Sequence, residues 1–294
     1  MIQLKSKKIL KLFGLLIAFA LLVNMSFANG VSAAPVKEQG TLLSKTVVNE
    51  YDKFKEIQSK SDEELLKKGY SNEDLKAIRS IDYKDELKKR VDKEAKLDKD
   101  TLKAMGYTED QIHVIYNYTG EESQVYALSA ELWLSTYVLS YSKSSSLSQA
   151  SLRTDWTWTQ RPVWLETDIL AAIWSEGMYV QSGSQTFGKA NYYYIDYGTF
   201  KKTNSISVTP NLNVGASIKI PMALWETDGN AWAKTGEFGY KITRQSLVEE
   251  LSVHTDYGHN EWTVSPTVTF GPFPGLTFSY SVFSQATNDV YIDL

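Results

Sequence analysis

The sequence predicts an α+β protein, with an N-terminal charged helical region followed by an antiparallel β-sandwich or flattened barrel. Two observations carry that prediction. Residues 34–120 hold 17 basic and 18 acidic residues and no Trp, whereas residues 121–294 hold 10 basic, 17 acidic and all eight Trp. The hydrophobic period changes at the same place, from steps of three and four to strict alternation. The organisation is therefore read as a signal peptide over 1–33, a helical region over 34–120 and a β domain over 121–294.

The first 33 residues have the layout of a secretory signal. Lys5, Lys7, Lys8 and Lys11 form a basic start with no acidic residue, and Leu12 to Val23 is a twelve-residue apolar run. Val31-Ser32-Ala33 then places small residues at −3 and −1 of a cut before Ala34. Twelve residues at helical rise span about 18 Å, short of the roughly 30 Å hydrocarbon core, so the run reads as a cleavable signal and not an anchor. The later chain has no apolar run long enough to be a transmembrane helix. Secretion, an extracellular location and no membrane anchor after signal removal are the expectations.

Composition removes several classes of function. The formal net charge is −4, and loss of four lysines with the signal takes it to −8. Such a chain gains nothing from phosphate electrostatics, so nucleic acid is not an expected partner. With no cysteine, thiol catalysis, disulfide stapling and thiolate metal sites are excluded.

In the helical region, Leu43, Val47, Tyr51, Phe54 and Ile57 recur at steps of three and four and predict one helical stripe. A repeat offset by 37 residues follows: the stretch from Ser61 through Leu65, Gly69 and Tyr70 to Ser71 aligns with that from Asp98 through Leu102, Gly106 and Tyr107 to Thr108. Each copy reads as an N-capped short helix (Ser61, Asp98), a left-handed glycine stop (Gly69, Gly106) and a second N-cap (Ser71, Thr108). Thr108 and Gln111 form a capping box, and each repeat Tyr is expected under its turn. Leu87 and Val91 mark a charged helix between the copies. The Met105-Gly106-Tyr107 corner is similar to the ubiquitin-associated helical bundle, a likeness without use in an exported protein.

The β domain shows alternating segments at Leu128–Ser135, Trp156–Thr159, Ser205–Thr209, Asn211–Ile220, Thr263–Phe270 and Leu276–Phe283, about ten strands in all. Asp228-Gly229-Asn230 is a hairpin signal. Gly271-Pro-Phe-Pro-Gly275 is a stiff loop between the last two long strands. The continuous apolar run from Asp168 to Trp174 reads as a fully buried strand.

Candidate chemistry is sparse. His254, Asp256 and His259 bring ligand-type side chains together, and Glu166 and Asp168 are spaced to share a strand face, as a glycosidase carboxylate pair requires. No nucleophile elbow, zinc-protease motif or phosphate-binding glycine loop occurs, so no cofactor is expected. The distinctive feature is aromatic density: Trp156, Trp158, Trp164, Tyr192 and Tyr194 are candidates for a ligand-stacking platform.

The helical corners (LKKGYSNEDLKAIRSIDY and LKAMGYTEDQIHVIYNY) and the segment TDWTWTQRPVWLETDILAAIWSEGM resemble uncharacterised secreted proteins of spore-forming Gram-positive bacteria, over most of the mature chain. That resemblance implies secretion and this architecture, and it brings no activity or catalytic residue to carry over. The expected function is a secreted, non-catalytic binding protein for an extracellular polysaccharide or surface protein. The alternatives are a membrane-active toxin or bacteriocin-like protein, in which Ser135–Thr154 unfurls as an amphipathic hairpin, and a glycoside hydrolase.

Overall fold

A strand opens the fold where a helix was expected. The computed structural model describes residues 40–294, apart from 68–69, 182–185, 212–213, 261–265, 279–281 and 294, and without the side chains of 282–288 and 293. The signal segment, Gly69, Leu212 and Trp262 lie outside the described residues. Gly40–Leu294 clusters as one compact unit. Within it Thr41–Asn49 is strand β1, paired antiparallel with β2 (Glu131–Lys143), and Val47 sits opposite Trp133. The helical stripe thus begins only at Tyr51. The stretch TLLSKTVVN is rich in β-branched residues, and Asn49 ends it by capping helix α1 (Glu50–Ser59), accepting a hydrogen bond from the Asp52 amide.

Six more helices follow among the described residues: α2 (Asp62–Lys67), α3 (Asn72–Ser80), α4 (Tyr83–Glu94), α5 (Lys99–Met105), α6 (Glu109–Tyr116) and α7 (Glu122–Leu128). The repeat is present as two helical corners, α2–α3 and α5–α6. Ser71 with Asp74 and Thr108 with Gln111 form capping boxes, and Asp98 caps α5. Gly106 stops α5 at φ 104°, a left-handed conformation costly for any residue with a Cβ. Tyr107 is buried beneath that corner with its hydroxyl 2.9 Å from Glu94.

The β portion is two facing antiparallel sheets. Beyond β2, its strands are β3 (Ser148–Trp158), β4 (Thr167–Trp174), β5 (Tyr179–Val180), β6 (Phe187–Tyr194), β7 (Phe200–Ile206), β8 (Val208–Asn211), β9 (Gly215–Pro221), β10 (Ala223–Leu224), β11 (Ala231–Arg244), β12 (Glu250–Asn260), β13 (Val268–Phe270), β14 (Leu276–Phe278) and β15 (Val282–Asp293). Sheet A runs β1-β2-β3-β11-β6-β7, with β5 and β10 also on β11; sheet B runs β15-β12-β4-β9-β8; β13 and β14 form a separate hairpin. There are more strands than the alternation suggests because several are only two to four residues long. Asn211–Ile220, expected as one strand, is a β8–β9 hairpin in which Asn211 pairs with Gly215. Polar turn formers at its start favour the reversal.

Strand alternation sends one face of each sheet into a shared core. Leu134, Leu152, Trp156, Trp158, Phe238 and Tyr240 of sheet A meet Leu170, Trp174, Ile218, Ile220, Val253 and Tyr257 of sheet B. The helices have their own core, built on Tyr51, Phe54, Tyr83, Leu87, Leu102, Ile112 and Leu128.

A buried ionic relay joins the two cores. His259 on β12 places Nδ1 3.0 Å from Asp168 Oδ1 on β4 and Nε2 3.4 Å from Glu50 Oε1 at the start of α1, with all three side chains fully buried. Asp168 also accepts from the Tyr257 hydroxyl (2.6 Å) and the Asn260 amide (2.9 Å). Glu50 accepts from the Tyr83 hydroxyl (2.8 Å) and the Val163 amide (2.8 Å). Burial alone would push the His259 imidazole down; Asp168, and then Glu50, outweigh it and hold it well above the ordinary histidine value. A charged imidazolium inside a protein is tolerated only when its partners stay in place. Replacing Asp168 by Asn removes one partner and is expected to cost about 3–5 kcal/mol of unfolding free energy, read as a lower midpoint in denaturant titration.

Candidate functional site

Most of the aromatic candidates lie in the core. Trp156, Trp158 and Tyr192 are each 1% exposed, which removes them from any ligand platform. The reason is register: Trp156 pairs with Leu134 and Gly236, and Trp158 with Leu132, all in the sheet A ladder with side chains facing sheet B. Trp164 is half-buried against the helical core, stacked on Phe54 (6.0 Å, 28°) and edge-on to Tyr83 (5.5 Å). Tyr194 alone of the five sits at the open end of the sheet, beside the turn that bears Tyr197.

The polar candidates separate as well. His254 and Asp256 point to the outer face of sheet B, while His259 faces inward, because β12 continues straight through Gly258 instead of turning there. His254 is held by Asp289 (Nδ1 to Oδ1, 2.6 Å) and Asp256 (Nε2 to Oδ2, 3.1 Å). Among the described residues, no group of three or more His, Cys, Asp or Glu side chains is placed to hold a metal ion. Asp168 is sealed in the relay, with both carboxylate oxygens engaged and no exposed surface, whereas Glu166 lies just before β4. The spacing that suggests a glycosidase pair therefore does not place two acids on one accessible face.

The outer face of sheet B carries the feature that sequence reasoning passed over. Every residue of β4 from Asp168 to Trp174 is buried. Leu170, Ala172 and Trp174 face sheet A, so Ile169, Ala171 and Ile173 must be covered from outside. The β13–β14 hairpin lies there, with both its strands against β4. Its register is Val268 to Phe278, Thr269 to Thr277 and Phe270 to Leu276. Directly opposed residues share a face, so four half-buried apolar side chains turn toward the sheet while Thr269 and Thr277 are exposed.

Phe270 fits this face through one glycine. A Cβ at Gly215 would lie 2.4 Å from the Phe270 ring and 2.4 Å from the Ala172 carbonyl oxygen, so only glycine leaves room for the ring. At the hairpin tip Phe273 stands between two prolines and is 39% exposed. In sequence the hairpin belongs to the longest run without a charged residue after the signal segment, the 27 positions from Trp262 to Asn288. In a chain that is 22% charged, that gap is the signal that would have found it.

The other candidate hairpin, Ser135–Thr154, is the β2–β3 pair at the heart of sheet A. Leu134, Leu152 and Trp156 anchor it in the core, and Arg153 and Asp155 form an ion pair of 2.9 Å on its outer face. Detaching it would dismantle the sandwich. No helix among the described residues is long and apolar enough to cross a membrane.

No protein-family model matches the chain, and no curated protein matches it. Among solved structures it is similar to Clostridium perfringens delta-toxin, at 9% identity and a TM-score of 0.24, covering 55% of this chain and 84% of that one. It is similar also to a pore forming protein (7% identity, TM-score 0.21, 55% and 79% covered). A third is AvmM, described as catalysing macrocyclization in alchivemycin A biosynthesis (9%, TM-score 0.23, 50% and 80%). At TM-scores this low, none of these likenesses bears on the fold or function of this chain.

Two outcomes test the site. His254 is raised from 6.5 to about 9, chiefly by its hydrogen bond to Asp256 and then by Asp289, against the pull of burial. A folded-state value above the unfolded one stabilises fully below the unfolded value and is lost as pH rises through the folded one. Stability is therefore expected to decline between about pH 6.5 and 9, and His254→Gln should flatten that decline in melts taken across the range. Gly215→Val should dislodge Phe270, seen as faster proteolytic cleavage within 266–278 than in the parent protein.

Proposed function

We propose that the protein is exported and membrane-active, and that the β13–β14 hairpin is the part that enters lipid. The observation that carries this reading is the uncharged run from Trp262 to Asn288 together with the hairpin's position outside both main sheets. A membrane-spanning β-strand needs about 9–11 residues, apolar on the lipid side and polar on the other. The sequence alternates this way over 263–270, with Val264, Pro266, Val268 and Phe270 on one side and Thr263, Ser265, Thr267 and Thr269 on the other. It does so again over 276–282, with Leu276, Phe278, Tyr280 and Val282 against Thr277, Ser279 and Ser281, so the arms approach that length. A charged side chain near mid-bilayer would cost about 2–4 kcal/mol, and this run has none.

The folded arrangement is compatible with release. Among the described residues, the hairpin's ladder joins its own two strands alone, and side-chain packing holds it to the sandwich. A lone hairpin in lipid would leave unpaired backbone on both edges, so the inserted state requires several copies closing a barrel. Export is supported by the basic, apolar and small-residue zones of the first 33 residues.

Dye release from phosphatidylcholine vesicles is the direct test. The mature chain at micromolar concentration is expected to cause leakage, and Phe278→Glu should reduce it at least tenfold while the far-ultraviolet spectrum stays that of the parent. Thr269→Glu, on the face that would line a water-filled pore, should leave leakage intact and shift ion selectivity toward cations. Absence of leakage by the parent protein, or equal leakage by both variants, would overturn the reading.

A further inference from the structure

A second surface of the molecule has the make-up of a ligand site. The β6–β7 turn (195–199) and the loop from β10 to β11 (225–230) abut at one end of sheet A, joined by a backbone hydrogen bond from the Ile195 amide to the Asn230 carbonyl of 2.9 Å. Their aromatic side chains are unusually exposed for their size: Trp225 at 70% and Tyr197 at 62%. Tyr194 lies edge-on to Tyr197 at 6.0 Å, and Tyr193 edge-on to Phe200 at 5.7 Å. The Tyr193–Phe200 pair stands on the other face of the sheet, because successive strand residues alternate. Trp225 and Tyr197, on the two adjoining loops, are large rings left in water, and such rings mark a surface that something else covers.

The two loops are held rigid from beneath. Lys201, whose side chain is only 3% exposed, reaches Asp228 Oδ1 (2.6 Å), the Gly229 carbonyl (2.5 Å) and Glu226 Oε2 (3.0 Å). Its ammonium also sits 5.0 Å from the centre of the Tyr194 ring. Lys202 takes the other Glu226 oxygen at 2.5 Å. A loop pair fixed before the ligand arrives loses little conformational freedom on binding.

We propose that this surface binds a neutral carbohydrate, with Trp225 and Tyr197 stacking on sugar rings and Glu226 and Asp228 taking sugar hydroxyls. Charge decides among the partners such rings could serve. The two loops carry three carboxylates, Asp196, Glu226 and Asp228, and no basic residue, while Lys201 and Lys202 of β7 beneath them are engaged in ion pairs with Glu226 and Asp228. Anionic polymers and anionic lipid surfaces are therefore repelled. The C–H faces of a pyranose gain dispersion contacts over an aromatic ring, and its hydroxyls can donate to carboxylates whose remaining lone pairs face solvent. The side chain of Asp228 is 65% exposed and that of Glu226 35% exposed, so both can accept such bonds. The site shares no residue with the β13–β14 hairpin, so its test stands apart from that of membrane activity.

The full mature chain is sedimented with insoluble cellulose, chitin and β-1,3-glucan and, separately, with phosphatidylcholine vesicles. Retention on at least one polysaccharide is expected, weakened tenfold or more by Trp225→Ala and by Tyr197→Ala. Trp225→Phe should keep most of the retention, because the stacking face survives. Trp133→Ala, at a half-exposed Trp on the β1–β2 edge beneath Lys45, should bind as the parent does. The proposal is overturned if no polysaccharide retains the protein, if Trp225→Ala binds unchanged, or if the Trp225 and Tyr197 dependence appears with vesicles alone.

Discussion

The contact on which the rest of the molecule depends is the buried Glu50–His259–Asp168 relay. Each residue comes from a different part of the chain: the first turn of α1, the end of β12 and the start of β4. Taking a charge out of water is costly, so such a group persists only where every neighbour is fixed by something else. Here Tyr83, Tyr257 and the amides of Val163 and Asn260 supply that fixing. The relay thereby sets the docking of the helices on the sandwich far more narrowly than apolar packing alone would, since apolar contact is non-directional.

A second buried charge cluster extends the same interface. Glu94 meets the Tyr107 hydroxyl at 2.9 Å and Arg161 at 3.3 Å, while Arg90 of α4 donates to the backbone carbonyls of Leu128 and Arg161. Trp164 adds an apolar contact by stacking on Phe54 and lying edge-on to Tyr83. The segment from Gln160 to Leu165 is thus an anchor between helices and sheets, and its aromatic ring is there for packing.

Against that rigid frame, the β13–β14 hairpin and the loop pair around Trp225 are built differently. The hairpin meets sheet B through side chains and, among the described residues, has a ladder of three rungs. The loop pair is rigid but leaves its rings in water. One suits movement, the other capture. A protein that first holds to a carbohydrate surface and then commits a hairpin to lipid would use both, and in sequence the relay's His259 lies in β12, the strand that precedes the hairpin.

The sequence by itself determined what depends on near neighbours along the chain. Caps, the left-handed Gly106 and the helical corners were legible because each rests on contacts within a few residues, and the two-residue strand period and the continuous apolar run of β4 were legible as patterns along the chain. It could not assign Thr41–Asn49 to a sheet, since that strand exists through pairing with β2, far along the chain, from Asn49 with Glu131 to Thr41 with Val138. Nor could it tell which Trp were core: Trp156 and Trp158 alternate as surface-ready rings would, and only the opposing sheet decides that their face is the inner one. Asp168, His254 and His259 had the residue types of a site, and tertiary structure sent one histidine inward to a sealed relay and the other outward to an ion pair. Period-two patterning says that a strand has two faces; what lies against each face is settled only when the sheets meet.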